Sequence, residues 1–212
     1  MLNFSVAEVI SLLVVLLVAF PLHELAHAVT ADYFGDDTPR TMGRLTLNPF
    51  AHLDVFGSLM LVLAGFGWAK PVPVNQYALE RNSHTAPALV ALAGPVTNLC
   101  LGLVAGLVLA SGLVPKPASF STTIPSLYQV LYIFSLINFV LFFFNLIPLF
   151  PLDGEKVAVW LLPTDLGSKL AALRKFSFGP MLVLLLILPR LGIPITDWLV
   201  FTPATWLMNL FL

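Results

Sequence analysis

The sequence predicts an all-α integral membrane protein with about four to five transmembrane helices plus a re-entrant loop or short β-hairpin. Three observations point there. Of 212 residues, 58% are apolar and only 10% charged, against about 25% charged in a soluble domain. So few charges cannot build a water-facing surface, and lipid must solvate much of the chain. Four stretches reach the ~20 mostly apolar residues needed to cross a hydrocarbon core of about 30 Å, and a fifth, of about 12, suits a half-helix or re-entrant segment better than a span. A net charge of −1 argues against nucleic acid as a partner. The single cysteine, Cys100, excludes an intrachain disulfide and is expected to be a small core residue.

The first span is expected over Val6–Tyr33. Residues 1–8 carry no Lys or Arg, and the apolar run leads straight into His23 and Glu24. The N-terminus is therefore expected to belong to the mature protein. The short stretch, 55–66, suits a half-helix. Behind it, Gly67-Trp68-Ala69-Lys70-Pro71-Val72-Pro73-Val74-Asn75 should be extended, because two prolines forbid a regular helix and the alternating valines favour a strand. Such an edge could pair with another extended peptide; Trp68 and Lys70 could equally be an interfacial anchor. Further spans are expected over 86–111 and 125–147. A last one starts near Phe178, where Pro189, Arg190 and Pro194 leave open one kinked span with a tail or a helical hairpin.

Charge arbitrates the topology. If 55–66 does not cross, Arg40, Arg44, Lys70, Arg81, Lys156, Lys169, Arg174 and Lys175 share one side, opposite Lys116 and Arg190. The positive-inside rule favours this split over the weaker bias left if 55–66 crosses. The N-terminus then lies outside and the two basic loops in the cytoplasm of a multi-pass cell-membrane protein. No repeat or long linker divides the chain, so 1–212 reads as one membrane domain with a motif-bearing core over about 5–160 and a C-terminal helix and tail over about 176–212.

The first span contains His23-Glu24-Leu25-Ala26-His27. On a helix, i and i+4 share a face, so both imidazoles can reach one ion and Glu24 stands beside it to take a proton from water. Ionisable groups in a lipid-embedded run are functional candidates by default. A catalytic zinc commonly has three protein ligands and one open position, and Asp153 is the strongest third candidate. It follows Asn145-Leu146-Ile147-Pro148-Leu149-Phe150-Pro151-Leu152, where the prolines break the helix, and Gly154 permits a tight turn beside it. At 1.5 Å per residue, His23 lies about 27 Å below a helix starting near Ser5, and Asn145 about 30 Å below one starting near Pro125. The two stretches therefore arrive at similar depth, toward the cytoplasmic face.

Together these motifs resemble the site-2 protease family of intramembrane zinc metalloproteases. They are HELAH in a membrane helix, Gly94-Pro95-Val96-Thr97-Asn98, and Asn145-xx-Pro148 with Leu152-Asp153-Gly154. Arg44-Leu45-Thr46-Leu47-Asn48-Pro49 and the 67–75 stretch resemble its compact bacterial and archaeal branch, without a PDZ domain. The resemblance implies Zn²⁺ held by His23, His27 and Asp153, with Glu24 as general base. It implies that Asn145 helps hold a substrate strand or oxyanion and that Asn98 supports the site or packs helices. Partners would be the lipid bilayer and transmembrane protein substrates, unwound locally because a helix hides its carbonyls in internal bonds. Gating would fall to the loops, the tail, a regulatory membrane partner or a homo-oligomer. His52 and Asp54 are read as loop or cap residues, His84 as solvated, and Phe142–Phe144 as lipid-facing or packing bulk.

Two other classes compete. Histidine pairs also line ion paths in transporters, but the candidates form one site at one depth, and Glu24 is surplus to coordination. A structural zinc scaffold would ordinarily close its site with four ligands, often cysteines, and the chain has one thiol.

Overall fold

The computed structural model describes residues 4–64 and 67–212. Helix α1 (Val6–Tyr33) starts at a capping box, in which Ser5 and Glu8 satisfy each other's backbone N–H groups. It runs through Pro21 without ending. A short turn, α2 (Thr38–Thr41), precedes the half-helix α3 (Val55–Ala64), and α4 (Gln76–Asn82) leads into α5 (Ala86–Ala110). Ser126 caps α6 (Leu127–Asn145), which is followed by α7 (Asp153–Leu161) and α8 (Thr164–Ala172).

Helices α1, α5 and α6, of 28, 25 and 19 residues, are each long and apolar enough to cross a membrane. Among the described residues a fourth span exists only if the pair 164–176 and 179–190, bent by 85°, counts as one. The count of three to four meets the expected four to five only at its low end. After the bend come α9 (Gly179–Leu182), a π-helical turn, and α10 (Leu188–Arg190); another π-helical turn leads into α11 (Thr202–Asn209). The helical runs over 179–190 and 197–209 each extend about 18–20 Å, too short to span singly. Met181 and Leu184 of the first meet Val200 of the second, as a hairpin requires.

The three long helices form the scaffold, with α5 packed along both α1 and α6. Lipid offers no hydrophobic drive between helices, so close approach and interhelical polar bonds hold such bundles. Both devices occur on the α5–α6 seam. A Cβ on Gly102 would stand 2.6 Å from the Phe139 ring, and Ser135 Oγ donates to the Gly102 carbonyl at 2.8 Å. Around them, Val15, Leu16, Ala19 and Phe20 of α1 pack with Leu61, Ala105 and Phe134.

The half-helix expectation stands over Val55–Ala64; Gly65 and Phe66 lie outside the described residues. Residues 67–75 are non-helical as expected, but no β-hairpin forms among the described residues. One isolated antiparallel bridge, Leu53–Ala69, takes its place. Pro71 and Pro73 lack N–H groups, so a ladder cannot continue past them.

Candidate metal centre

His23 and His27 lie one turn apart on α1, and their Nε2 atoms approach to 3.0 Å. Asp153 Oδ2 stands 3.3 Å from each. Thus the structure brings together the three residues expected as ligands, although 130 positions separate His23 from Asp153. Their side chains are only 9–13% exposed.

 The spacing explains the chemistry: four ligands around a zinc at 2.0–2.1 Å lie about 3.3 Å from one another, so the three atoms already have the separations of a tetrahedral cation site.

The outer nitrogen of each ring is held by a different partner. His27 Nδ1 lies 2.7 Å from the Val90 carbonyl of α5. A carbonyl only accepts, so Nδ1 carries the proton and Nε2 presents a lone pair. His23 Nδ1 lies 2.5 Å from Asn98 Oδ1, also on α5. Two imidazole lone pairs and a carboxylate oxygen at this range repel one another unless a cation lies among them, so the donor set fits a metal. Gly94 is where α5 crosses these rings. A Cβ there would stand 2.6 Å from His23 Nε2 and closer still to His27 Nε2. No larger residue lets the helix pass.

Asp153 differs from its expected setting. It is the first residue of α7 rather than part of unwound backbone, and Gly154 serves close packing rather than a turn. A Cβ on Gly154 would strike the main chain of Leu146 and Ile147. Buried Glu155, next in the same helix, takes both arms of Arg174 at 2.9 and 2.8 Å. Arg174 was expected only to set topology; here it also ties the following helices to α7.

Glu24 is 8% exposed, and its Oε2 accepts from the Val72 N–H at 3.0 Å. The extended segment therefore passes directly over the candidate base. Arg44, expected as a loop charge, is buried and donates to the Lys70 and Pro71 carbonyls at 3.0 Å each. Asp36 accepts from Asn75 N–H, and the His52 carbonyl from Lys70 N–H. His52 is wholly buried, with Nε2 on the Thr46 carbonyl, and Asp54 caps the first turn of α3 at Gly57 N–H. Their expected loop and cap roles hold, and His84 is exposed as expected, whereas Cys100, expected in the core, lies exposed on α5.

Asn98 is fully buried and joins His23 to Asn138, its Nδ2 donating to Asn138 Oδ1 at 2.9 Å. Asn145 donates back to the Leu141 carbonyl at 3.0 Å, and among the described residues no hydrogen bond links it to the triad. Asn138 escaped the sequence reading. A polar residue on a span, seven before Asn145 and so on the same helical face, was the available signal. Nothing in the sequence marks Arg44 as buried.

Residues 11–188 match the model of the family described as peptidase family M50. The chain belongs to peptidase family M50. Among the proteins to which this M50 peptidase is similar is YwhC of Bacillus subtilis, provisionally named a zinc metalloprotease, with 44% identity over 82% of this chain and 78% of that one. Another is Rip2 of Mycolicibacterium smegmatis, with the same provisional description, 32% identical over 83% of this chain and 66% of Rip2. The archaeal MJ0611 of Methanocaldococcus jannaschii, also so described, is 29% identical over 74% of each chain. No solved structure matches this chain. Family and helices together make it a multi-pass membrane metalloprotease.

Proposed function

We propose that this chain is one membrane domain that hydrolyses peptide bonds in or near the transmembrane segments of other proteins, using zinc held by His23, His27 and Asp153. The observation that carries the reading is the triangle of ligand atoms beside Glu24, set among membrane-length helices. When bound there, zinc would supply a Lewis acid able to polarise a carbonyl and to lower the pKa of its bound water to about 7. Glu24 accepts the proton of the attacking water and returns it to the leaving amine. Its bond to the Val72 N–H holds the carboxylate in place while it does so. Asn98 supports the centre through His23, and Asn145 supports the substrate strand or the oxyanion. The N-terminus faces outward and the centre opens toward the cytoplasm, the side favoured by eight of the ten Lys and Arg residues.

Glu24→Gln tests this reading. Co-expressed with single-span candidate proteins, the variant should let a cleaved protein accumulate intact, while the purified variant keeps its zinc. The rate should fall by about 10²–10⁴, the usual contribution of a positioned base. Cleavage persisting in the variant at the wild-type rate rejects it.

A further inference from the structure

Asn138 lies on α6, fully buried, and touches neither the ligand atoms nor Glu24 through any hydrogen bond among the described residues. Its amide nonetheless begins a chain of bonds that ends at the metal centre. Asn138 Nδ2 donates to the Phe134 carbonyl, one turn back, at 2.8 Å. That end is unambiguous, because a main-chain carbonyl can only accept. Asn138 must therefore turn its Oδ1 toward Asn98, and Asn98 must answer with its NH₂, at 2.9 Å. With its NH₂ committed, Asn98 has only Oδ1 left for His23, and His23 must donate from Nδ1. The Nε2 lone pair is then aimed at Asp153 and His27.

From this geometry we propose that Asn138 is a positioning residue that selects the His23 tautomer, by way of the Asn98 amide, for metal binding. The proposal rests on the reading of His23 as a metal ligand. An interhelical bond between two amides would hold α5 to α6 in either amide orientation; the Phe134 carbonyl is what selects one. Without Asn138, Asn98 can turn over and offer its NH₂ to His23. The imidazole then accepts at Nδ1 and carries its proton on Nε2, where it faces the other ligands and blocks coordination. Partners behind a ligating histidine typically change metal affinity or activity by 10–100-fold.

The test measures zinc affinity of the metal-free full chain in detergent, by competition with a chromophoric chelator, beside the melting temperature of the metal-free form. Asn138→Leu, similar in size but without polar atoms, should bind zinc about 10–100-fold more weakly. Asn138→Asp should bind like wild type: a buried carboxyl is driven to its neutral form, whose O–H donates to the Phe134 carbonyl while its C=O accepts from Asn98. In an Asn98→Ala background, Asn138→Leu should cost no further affinity, since the relay is already cut. A purely structural Asn138 would lower the melting temperature of the metal-free chain in step with any loss of zinc. Unchanged affinity in Asn138→Leu, or an equal loss in the Asn98→Ala background, overturns the proposal. Nitrogen NMR of ¹⁵N-histidine-labelled wild type, which needs no variant to fold, should show His23 protonated at Nδ1 and metal-bound at Nε2. Coordination through Nδ1 also overturns it. His23→Ala binding zinc as tightly as wild type would instead remove the ligand reading on which the proposal stands.

Discussion

Gly94 carries a constraint that its small size conceals. Helix α5 passes so close to both imidazoles that a methyl group at this position meets His23 Nε2 at 2.6 Å. Either the rings must turn or α5 must retreat, and retreat would also withdraw Val90 and Asn98 from the Nδ1 atoms. Gly94→Ala is expected to weaken zinc binding by at least the 10–100-fold typical of losing such partners, as read by chelator competition. Binding at wild-type strength would show that the helix can shift without cost. The glycine's motif was visible in the sequence, but its reason was not, because the atoms it spares lie 67 to 71 positions away.

Among the elements, the extended segment 67–75 is the most dependent on others. Two prolines strip it of ladder bonds, and three side chains, Arg44, Glu24 and Asp36, replace them. Arg44 forks across the Lys70 and Pro71 carbonyls, immediately before the Val72 N–H that holds Glu24. Arg44→Lys keeps the charge but cannot span two carbonyls with its single ammonium as the planar fork does. Proteolytic activity should fall about tenfold or more while zinc stays bound, since the proposed ligands His23, His27 and Asp153 lie on other elements; loss of zinc in step with activity would contradict this. Helix α7 shows the same dependence. Gly154 lets it approach the 146–147 main chain, so Gly154→Ala should shift Asp153 and release zinc, a loss that metal analysis of the purified variant would reveal.

At the scale of the whole molecule, the centre ties the first helix to a segment 130 positions further along, with α5 supplying both Nδ1 partners between them. Any cation bound there stabilises the packed state by an amount that grows with the logarithm of its free concentration above Kd, about 2.7 kcal/mol at 100 times Kd. Chelation should therefore lower the melting temperature of the wild type in detergent and leave that of His23→Ala unchanged. Equal shifts in both would place the stabilising metal elsewhere. Gly102 makes a separate prediction for the bundle. Its missing side chain seats the Phe139 ring, so Gly102→Leu should lower the melting temperature of the metal-free chain too, by forcing α5 away from α6.

The sequence alone determined three of the spans, the half-helix, the extended stretch and the three candidate ligands with their candidate base. All of these follow from local signals: runs of apolar residues measured against bilayer thickness, prolines that end helices, and ionisable groups too costly to keep in lipid without purpose. Only the tertiary structure decided that 67–75 pairs through a single bridge, that Asp153 begins a helix, that Arg174 meets Glu155, that Arg44 meets the Lys70 and Pro71 carbonyls, and that Asn138 meets Asn98. Those facts depend on which side chains meet across the bundle. A hydrogen bond between helices is set by their relative rotation and distance, and neither quantity is written in the order of residues along one helix.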